Sequence, residues 1–450
     1  MKGTIFRKYD IRGVVGKDFL ISDAENVGAA FGTILKGKKS VSVGMDVRLS
    51  SKDIKEGLIS GLRSTGCNVT DIGVVPSPLL YFAVYHHKMD AGVMITASHN
   101  PPEYNGFKFR NKNAIPFHYK TTLKMKKLIK ERKFIKRKEG NLEEENIVNE
   151  YLEFVKSKVK FEKKMKIVVD AGNGNCGEIV PRLLNDMGCD VKELYCKLDG
   201  RFPNHIPNPS MEETLIDLKK KVIKTKSDIG IAFDNDGDRV AFIDEKGNVI
   251  RSDIAMIFFA KHMLENYKKP KIVHEVKFSR MFIEYVKENG GIPIMSKVGY
   301  PNIVTKMKKI KSLLGGELSG HFYFTENNYY EDGIFAALKF IEHLTKEKEK
   351  LSDLVKPFLK YQSTQEERIP CPDEKKYKVI ERIKRTLKYQ GYKLVTIDGV
   401  RIEFKDGWGL IRASNTEPEL SARFEAITKE KLNQIRDIIL KELNRQIPII

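Results

Sequence analysis

A chain of 450 residues, 41% of them hydrophobic, holds apolar material for several cores, about three at a usual domain size of ~150 residues, and is neither disordered nor fibrous in composition. Its 80 Lys and Arg outweigh 60 Asp and Glu for a net charge of +20, which suits nucleic acid, an acidic membrane surface or anionic small substrates; composition alone does not choose, but the excess is scattered lysine with no nucleic-acid-binding module, so nucleic acid is not the expected partner. No apolar run reaches the ~20 residues of a membrane span, and Met1 to Gly13 is charged from Lys2 onward, so a cytoplasmic protein with no membrane partner is expected.

In chain order, one pattern occurs three times. An apolar strand-like run comes first: Val41 to Met45, Lys166 to Val169, and Lys271 to Val273. After a helix-length segment, a glycine opens a second run, at Gly66 to Val69, Gly188 to Val191, and Gly291 to Ile294. A third run follows at Ala91 to Ile95, Ile229 to Phe233, and Leu313 to Gly316. Strand, helix, strand, connection, strand is the signature of an α/β unit on a largely parallel sheet. Between the first and second repeats, Tyr119 to Lys138 interleaves Leu123, Leu128, Ile129 and Phe134 with lysines, as a solvated helix face would. The last quarter differs, with strands and two amphipathic helices, near Glu374 to Gln390 and Thr428 to Gln446. Four domains are therefore expected: 1–144, 145–249, 250–356 and 357–450. The five cysteines, Cys67, Cys176, Cys189, Cys196 and Cys371, are widely spaced without a C-x-x-C and read as reduced thiols.

Beyond each third run lies a polar, Gly-punctuated loop: Thr96 to Pro101, Asp234 to Arg239, and Glu317 to His321. Sheets of this kind bind ligands outside the carboxyl ends of their strands, so the three loops could converge. Asp234, Asp236 and Asp238 alternate, and an extended turn would aim all three carboxylates at one point, where a hard cation such as Mg²⁺ would offset their repulsion. An acid-rich surface turn remains the alternative. An EF-hand fails, because Arg239 stands where its loop needs glycine and Val240 to Ile243 continues as a strand. Ser98 sits in a turn closed by Pro101-Pro102, and a serine needs a base or a metal to attack phosphorus. By position in the repeat it is the equivalent of the Asp loop, and Lys108 is near enough in sequence to reach it. In the last domain Arg412 to Thr416 gathers a guanidinium, two hydroxyls and an amide, donors that suit a phosphate; a helix N-cap is the other reading.

Together the stretches Phe6 to Gly13, Thr96 to Lys108, Phe202-Pro203-Asn204-His205, Asp234 to Arg239, Gly316 to His321 and Arg412 to Pro418 resemble the α-D-phosphohexomutase superfamily, in its phosphomannomutase/phosphoglucomutase branch, over essentially the whole chain. The resemblance implies an α/β fold of four domains around a central cleft, three of one α/β topology with mixed sheets and a C-terminal α+β domain like the TATA-binding protein. It implies a phosphoserine at Ser98, Lys108 as general acid/base with Arg12 and His99 assisting, and one Mg²⁺ held by Asp234, Asp236, Asp238 and a phosphate oxygen of Ser98. Substrate contacts would fall on Tyr9, Arg239, Lys277 and Tyr300, on the sugar loop Glu317, Leu318, Ser319, Gly320 and His321, and on the phosphate clamp Arg412, Ala413, Ser414, Asn415, Thr416 and Arg423.

The activity so implied is interconversion of hexose 1-phosphate and hexose 6-phosphate, of mannose or glucose, through a hexose 1,6-bisphosphate that also serves as activator. Hexose phosphates are then the partners, and the chain a monomer or small homo-oligomer. Three positions depart from the branch's pattern: Asn235 replaces a common glycine, Leu318 a common methionine, and Tyr300 a histidine, the last bearing on which sugar is preferred. Phosphoglucosamine mutase is the nearest alternative activity. A non-catalytic sugar-phosphate-binding protein is another, disfavoured by the presence of Ser98, Lys108 and all three aspartates.

Overall fold

Alternating burial, with Ile11 and Gly13 inward and Arg12 and Val14 half-buried, makes β1 (Ile11–Val14) an edge strand with Arg12 on its open face. The computed structural model describes residues 1–414 and 418–446. These divide into a first unit, Met1–Ala255 with Ser319–Ser352, and a second, Met256–Leu318 with Asp353–Ile450.

In the first unit β2 (Ser40–Met45), β3 (Asn68–Val74) and β4 (Ala91–Ile95) run parallel, with β2 between the other two. Every residue of β4 is buried, as expected of a parallel strand covered on both faces. β5 (Tyr104–Asn111) returns antiparallel along β4 and pairs with β1 on its other side. β6 (Ile115–Pro116) and β7 (Leu142–Glu144) complete the order β1-β5-β4-β2-β3-β7, with β6 on β5. The core under this sheet joins Val41, Val43, Val93, Ile95 and Phe107 to Val27, Phe31, Leu58 and Leu62 of the helices Asp23–Ile34 and Ser51–Ser64.

The second repeat builds β8 (Lys166–Asp170), β9 (Asp190–Leu194), β10 (Ile229–Phe233), β11 (Val240–Asp244) and β12 (Val249–Ile250) in the order β12-β11-β10-β8-β9. Its first strand again lies between its second and third, parallel to both, and the next strand again turns back antiparallel. In the second unit β13 (Lys271–Glu275), β14 (Ile292–Ser296) and β15 (Leu314–Gly316) repeat the arrangement. After β16 (Phe322–Phe324), which belongs to the first unit, the chain forms β17 (Gln362–Ser363), β18 (Glu367–Pro370), β19 (Leu394–Val395), β20 (Val400–Phe404), β21 (Gly407–Ala413) and β22 (Glu419–Ala426). These are antiparallel throughout, and the helices Asp373–Tyr389 and Lys429–Gln446 pack Val379, Ile383, Ile435 and Ile439 into one core with Ile402, Ile411 and Phe424.

Two readings change in detail. The lysine-rich stretch is helical only over Tyr119–Glu131; Arg132 turns left-handed at φ 51°, and Leu128, Ile129 and Phe134 pack partly onto the core instead of lying on a solvated face. Arg412 and Ala413 are the last residues of β21 rather than part of a loop, and the next element among the described residues is the strand β22, not a helix. The cysteines are buried free thiols. Among the described residues no helix is long and apolar enough to cross a membrane.

Candidate active site

The turn that follows β4 delivers Ser98. Thr96 Oγ1 accepts its backbone N–H at 2.8 Å, and the residue is held at φ 49°, a left-handed conformation that costs a non-glycine residue about 1–2 kcal/mol. Its hydroxyl donates to Asp234 Oδ2 at 2.7 Å and lies 3.1 Å from His99 Nδ1. Asp234 begins the equivalent turn after β10, so the topological repeat converts a separation of 136 positions into one hydrogen bond. Gly237, at φ 71°, bends that turn; ligand atoms of Asp234, Asp236 and Asp238 then lie within 4.8 Å of one another, all buried.

Lys108 reaches this cluster from β5, donating at 2.6 Å to both Asp236 Oδ2 and Asp238 Oδ2. Ser77 Oγ adds a donor to Asp236 Oδ2 at 2.6 Å, while Asp236 Oδ1 is buried and meets no donor. Arg239 donates its backbone N–H to Asp234 Oδ1 at 3.1 Å and its Nε–H to His321 Nε2 at 3.3 Å; His321 Nε2 is also 3.3 Å from Asp238 Oδ1. His321 is carried there by Gly320, at φ 91°, where a Cβ would stand 2.7 Å from the Val240 carbonyl oxygen. Ser319 Oγ is 3.1 Å from His321 Nδ1. On β1, Arg12 donates to Asn100 Oδ1 and to Asp10 Oδ2, both at 2.6 Å, and Lys8 lies over the ring of Tyr9 at 5.6 Å.

The electrostatics follow from burial. Desolvation, reinforced by Asp238 and Asp236, pushes the Asp234 carboxyl well above the usual range. Burial opposes the charge on Asp238 as well, but Lys108 and His321 outweigh it and hold that group well below the usual range. Lys108 is the mirror image: burial disfavours its ammonium, yet Asp236 and Asp238 raise its pKa well above normal. Desolvation and the nearby Arg239, Arg12 and Lys108 keep His99 neutral. Three buried acids thus face two cations, Lys108 on Asp236 and Asp238 and Arg239 3.8 Å from Asp234, and an oxygen-only donor set with an unpartnered buried oxygen fits a hard divalent cation.

The second unit assembles another group. Glu317 Oε1 accepts the N–H of Gly299, the residue before Tyr300 at the start of the helix Tyr300–Ile310. The Leu318 N–H donates to Glu275 Oε1 at 2.9 Å. Lys277 donates to Glu366 Oε2 at 3.0 Å and is 3.5 Å from Glu275. Arg423 donates to the Lys277 carbonyl at 2.6 Å, and Arg412 to Asp398 Oδ2 at 3.2 Å. Ala413 pairs with Leu420, and the Ser414 N–H donates to the Glu419 carbonyl. Asn415 and Thr416 lie outside the described residues. The division between units falls inside the expected sugar loop, leaving Glu317 and Leu318 in one and Ser319, Gly320 and His321 in the other. Burial would raise Glu366, but Lys277, Ser421 and Arg412 hold it down to about 2, whereas burial lifts Glu275 to about 7. Ser77, Glu275, Glu366 and Asp398 were not singled out from sequence. Each is a lone polar residue outside the repeated loops, with no local spacing to mark it.

Four family models match in order: phosphoglucomutase/phosphomannomutase α/β/α domain I over residues 3–136, domain II over 149–247, domain III over 251–361, and the C-terminal domain over 366–442. A phosphomannomutase/phosphoglucomutase of Pseudomonas putida is 40% identical over 450 residues, covering 99% of this chain and 96% of its own. The chain belongs to the phosphoglucomutase/phosphomannomutase family. A phosphoglucomutase of Neisseria meningitidis is 36% identical over 96% of the chain and 95% of its own length. The crystal structure of a family member from Burkholderia thailandensis, 34% identical, superposes with a TM-score of 0.93 over 100% of this chain and 99% of that one. The family membership carries the four-domain fold expected from sequence.

Proposed function

We propose that the protein is a phosphohexomutase that interconverts hexose 1-phosphate and hexose 6-phosphate, of mannose or glucose, through a phosphoserine at Ser98 and a bound hexose 1,6-bisphosphate. The observation that carries this is the hydrogen bond from Ser98 Oγ to Asp234, inside a cluster that also holds Lys108, His99 and Arg239. On this reading phosphorylated Ser98 gives its phosphoryl group to the free hydroxyl of a hexose phosphate, and the other phosphate of the resulting bisphosphate returns to Ser98. Lys108 relays the proton: as the sugar hydroxyl attacks, its proton passes to Lys108 while an ammonium proton of Lys108 passes to the departing Ser98 Oγ, and the return transfer runs the same relay backwards, so Lys108 ends each step cationic. Arg12 and neutral His99 orient the reacting groups.

Asp234, Asp236, Asp238 and a phosphate oxygen of Ser98 would hold one Mg²⁺, which supplies neutralisation of the charge spread over the transferring group. Arg239 with Tyr9, and Lys277 with Arg423, bind phosphate and sugar oxygens. Glu317, Ser319 and His321 take sugar hydroxyls, with Leu318 and Gly320 shaping that loop and Tyr300 beside it. Arg412, with Ala413, Ser414, Asn415 and Thr416, grips the phosphate that is not reacting. Domain joins near 145, 250 and 357, a cytoplasmic location, activation by hexose 1,6-bisphosphate and action as a monomer or small homo-oligomer belong to the same reading.

The test is turnover of mannose, glucose and glucosamine 1-phosphates by the wild-type protein with Mg²⁺ and a hexose 1,6-bisphosphate, followed by phosphorus NMR, with intact mass reporting Ser98 phosphorylation. Isomerisation of mannose or glucose phosphate is expected. Preference for the glucosamine ester would move the protein to the neighbouring activity, and absence of both turnover and phosphoenzyme would sink the mutase reading.

A further inference from the structure

The backbone carrying Ser98 is strained, so something must hold it, and a buried guanidinium does. All five N–H donors of Arg48 are used. Its Nη2 donates to the carbonyls of Ser98 at 2.7 Å and Asn100 at 2.6 Å; its Nη1 to those of Pro101 at 2.6 Å and Tyr104 at 3.1 Å; its Nε to Asp46 Oδ2 at 3.0 Å. No donor remains for a ligand, which separates Arg48 from the binding arginines. It grips three carbonyls of the turn that presents the nucleophile and that of Tyr104, where β5 begins.

Three further contacts extend the device into the second repeat. The Phe202 ring covers the guanidinium, with the centroid 5.0 Å from Cζ, and accounts for part of the Phe202-Pro203-Asn204-His205 stretch that the proposed chemistry leaves unused. Gly200, two residues earlier, lies so close that a Cβ there would stand 2.3 Å from the Val47 carbonyl oxygen. On the other side, Asn235 Nδ2 donates to Asp46 Oδ2 at 2.6 Å, the same oxygen that accepts from Arg48. Asn235 lies between the carboxylates Asp234 and Asp236, so Asp46 connects the serine turn to the acidic turn.

We propose that Arg48, paired with Asp46 and covered by Phe202, is the positioning residue that keeps Ser98 in its left-handed, transfer-competent conformation, and that Asn235 locks the acidic turn to the same clamp. The role rests on the mutase reading, although the conformational part stands without it. A displacement of the nucleophile by about 1 Å can cost ~10²-fold in rate while leaving remote substrate contacts intact. Arg48→Lys keeps the charge but offers a tetrahedral ammonium in place of the planar fork.

The experiment compares Arg48→Lys, Phe202→Leu and Asn235→Ala with the wild type in steady-state kinetics, in the rate of Ser98 phosphorylation by glucose 1,6-bisphosphate, and by crystallography. Folded Arg48→Lys is expected to lose about 100-fold in kcat and in phosphorylation rate, with KM for the hexose phosphate within about threefold. Phe202→Leu and Asn235→Ala should lose about tenfold and about threefold in kcat in the same pattern. Arg48→Lys with kcat within about twofold of wild type, or a crystal structure of it with Ser98 still at positive φ, overturns the proposal. Should Arg48→Lys fail to fold, wild-type kcat in both other variants overturns it. A wild type that neither turns over nor takes phosphate counts against the mutase reading alone; the Ser98 conformation then decides the clamp.

Discussion

The two units handle buried charge in opposite ways. In the first, acids outnumber the cations beside them: Lys108 bonds Asp236 and Asp238, and Arg239 lies 3.8 Å from Asp234. In the second, Lys277 is matched to Glu366 and Arg412 to Asp398, while Glu275 stays near neutral pKa at about 7. A group of acids short of counter-charge calls for a cation, and suits the handling of a transferring phosphoryl group. Cations held in place by carboxylates are preorganised donors, and suit recognition of an anion that does not react. On the mutase reading, chemistry belongs to the first unit and recognition largely to the second, so substitutions should separate into effects on kcat and effects on KM.

The largest effect should come from Ser98→Ala. It is expected to reduce turnover to background and to abolish the phosphorylated species in intact mass spectra, because no other hydroxyl donates to Asp234 Oδ2 among the described contacts. Near-normal turnover in the purified variant would remove the covalent step and with it the contrast between the units.

Lys108→Met comes next and probes the shortage of counter-charge directly. It deletes the ammonium and keeps the aliphatic stem, leaving Asp236 and Asp238 buried without the cation that bonds both. Loss of one partner of a buried ion pair costs about 3–5 kcal/mol, and loss of a general acid about 10²–10⁴-fold in kcat. Thermal unfolding should therefore show a lowered Tm in chelator, and Mg²⁺ should recover more stability in the variant than in the wild type. Equal Mg²⁺ responses would mean that the carboxylates do not compete for one cation.

How much of this was legible beforehand follows from how the information is laid out. The repeat, the three turns after β4, β10 and β15, and the two helices of the last domain are written in local hydropathy and glycine placement, while the antiparallel order of that domain's strands is not. The carboxylate triplet is legible because its ligands lie within five positions. Ser98 joins it through the repeat, since equivalent turns end on the same side of equivalent sheets. Arg48, Ser77 and Glu366 were not legible, since their partners are 50 or more positions away, as in Arg48 to Ser98, Ser77 to Asp236 and Lys277 to Glu366; nor was Asp46, whose link to Asn235 spans 189 positions. The end of the lysine-rich helix at Arg132 was also missed, because a left-handed arginine leaves no mark in the pattern.

Arg412→Ala tests the recognition side. A lost charge-assisted contact is worth ~1.5–3 kcal/mol, so KM should rise roughly ten- to a hundredfold while kcat changes by less than about threefold. A fall in kcat with KM unchanged would place Arg412 with the chemistry and dissolve the division.

The smallest effect is the most specific to the second unit. Glu275 is wholly buried, and its carboxyl is raised from 4.5 to about 7, by desolvation first, with Lys277 opposing and Glu317 adding to the rise. Between those two values the folded protein keeps a proton that the unfolded chain has released, so stability falls as pH climbs through the window, by up to roughly 3 kcal/mol in all. Glu366, held at about 2, acts in the opposite sense and elsewhere: its contribution is complete above 4.5 and is lost as pH drops toward 2. Glu275→Gln removes the first effect and leaves the second. Its side-chain oxygen can still accept the Leu318 N–H, and Lys277 retains Glu366 at 3.0 Å. Urea unfolding of the variant should match wild type near pH 5 and exceed it by about 1–2 kcal/mol at pH 8, less than the full window because the pairing with Lys277 is lost. A variant that parallels the wild type across this range would show that Glu275 is ionised throughout, and that Lys277 faces two full negative charges, Glu275 and Glu366.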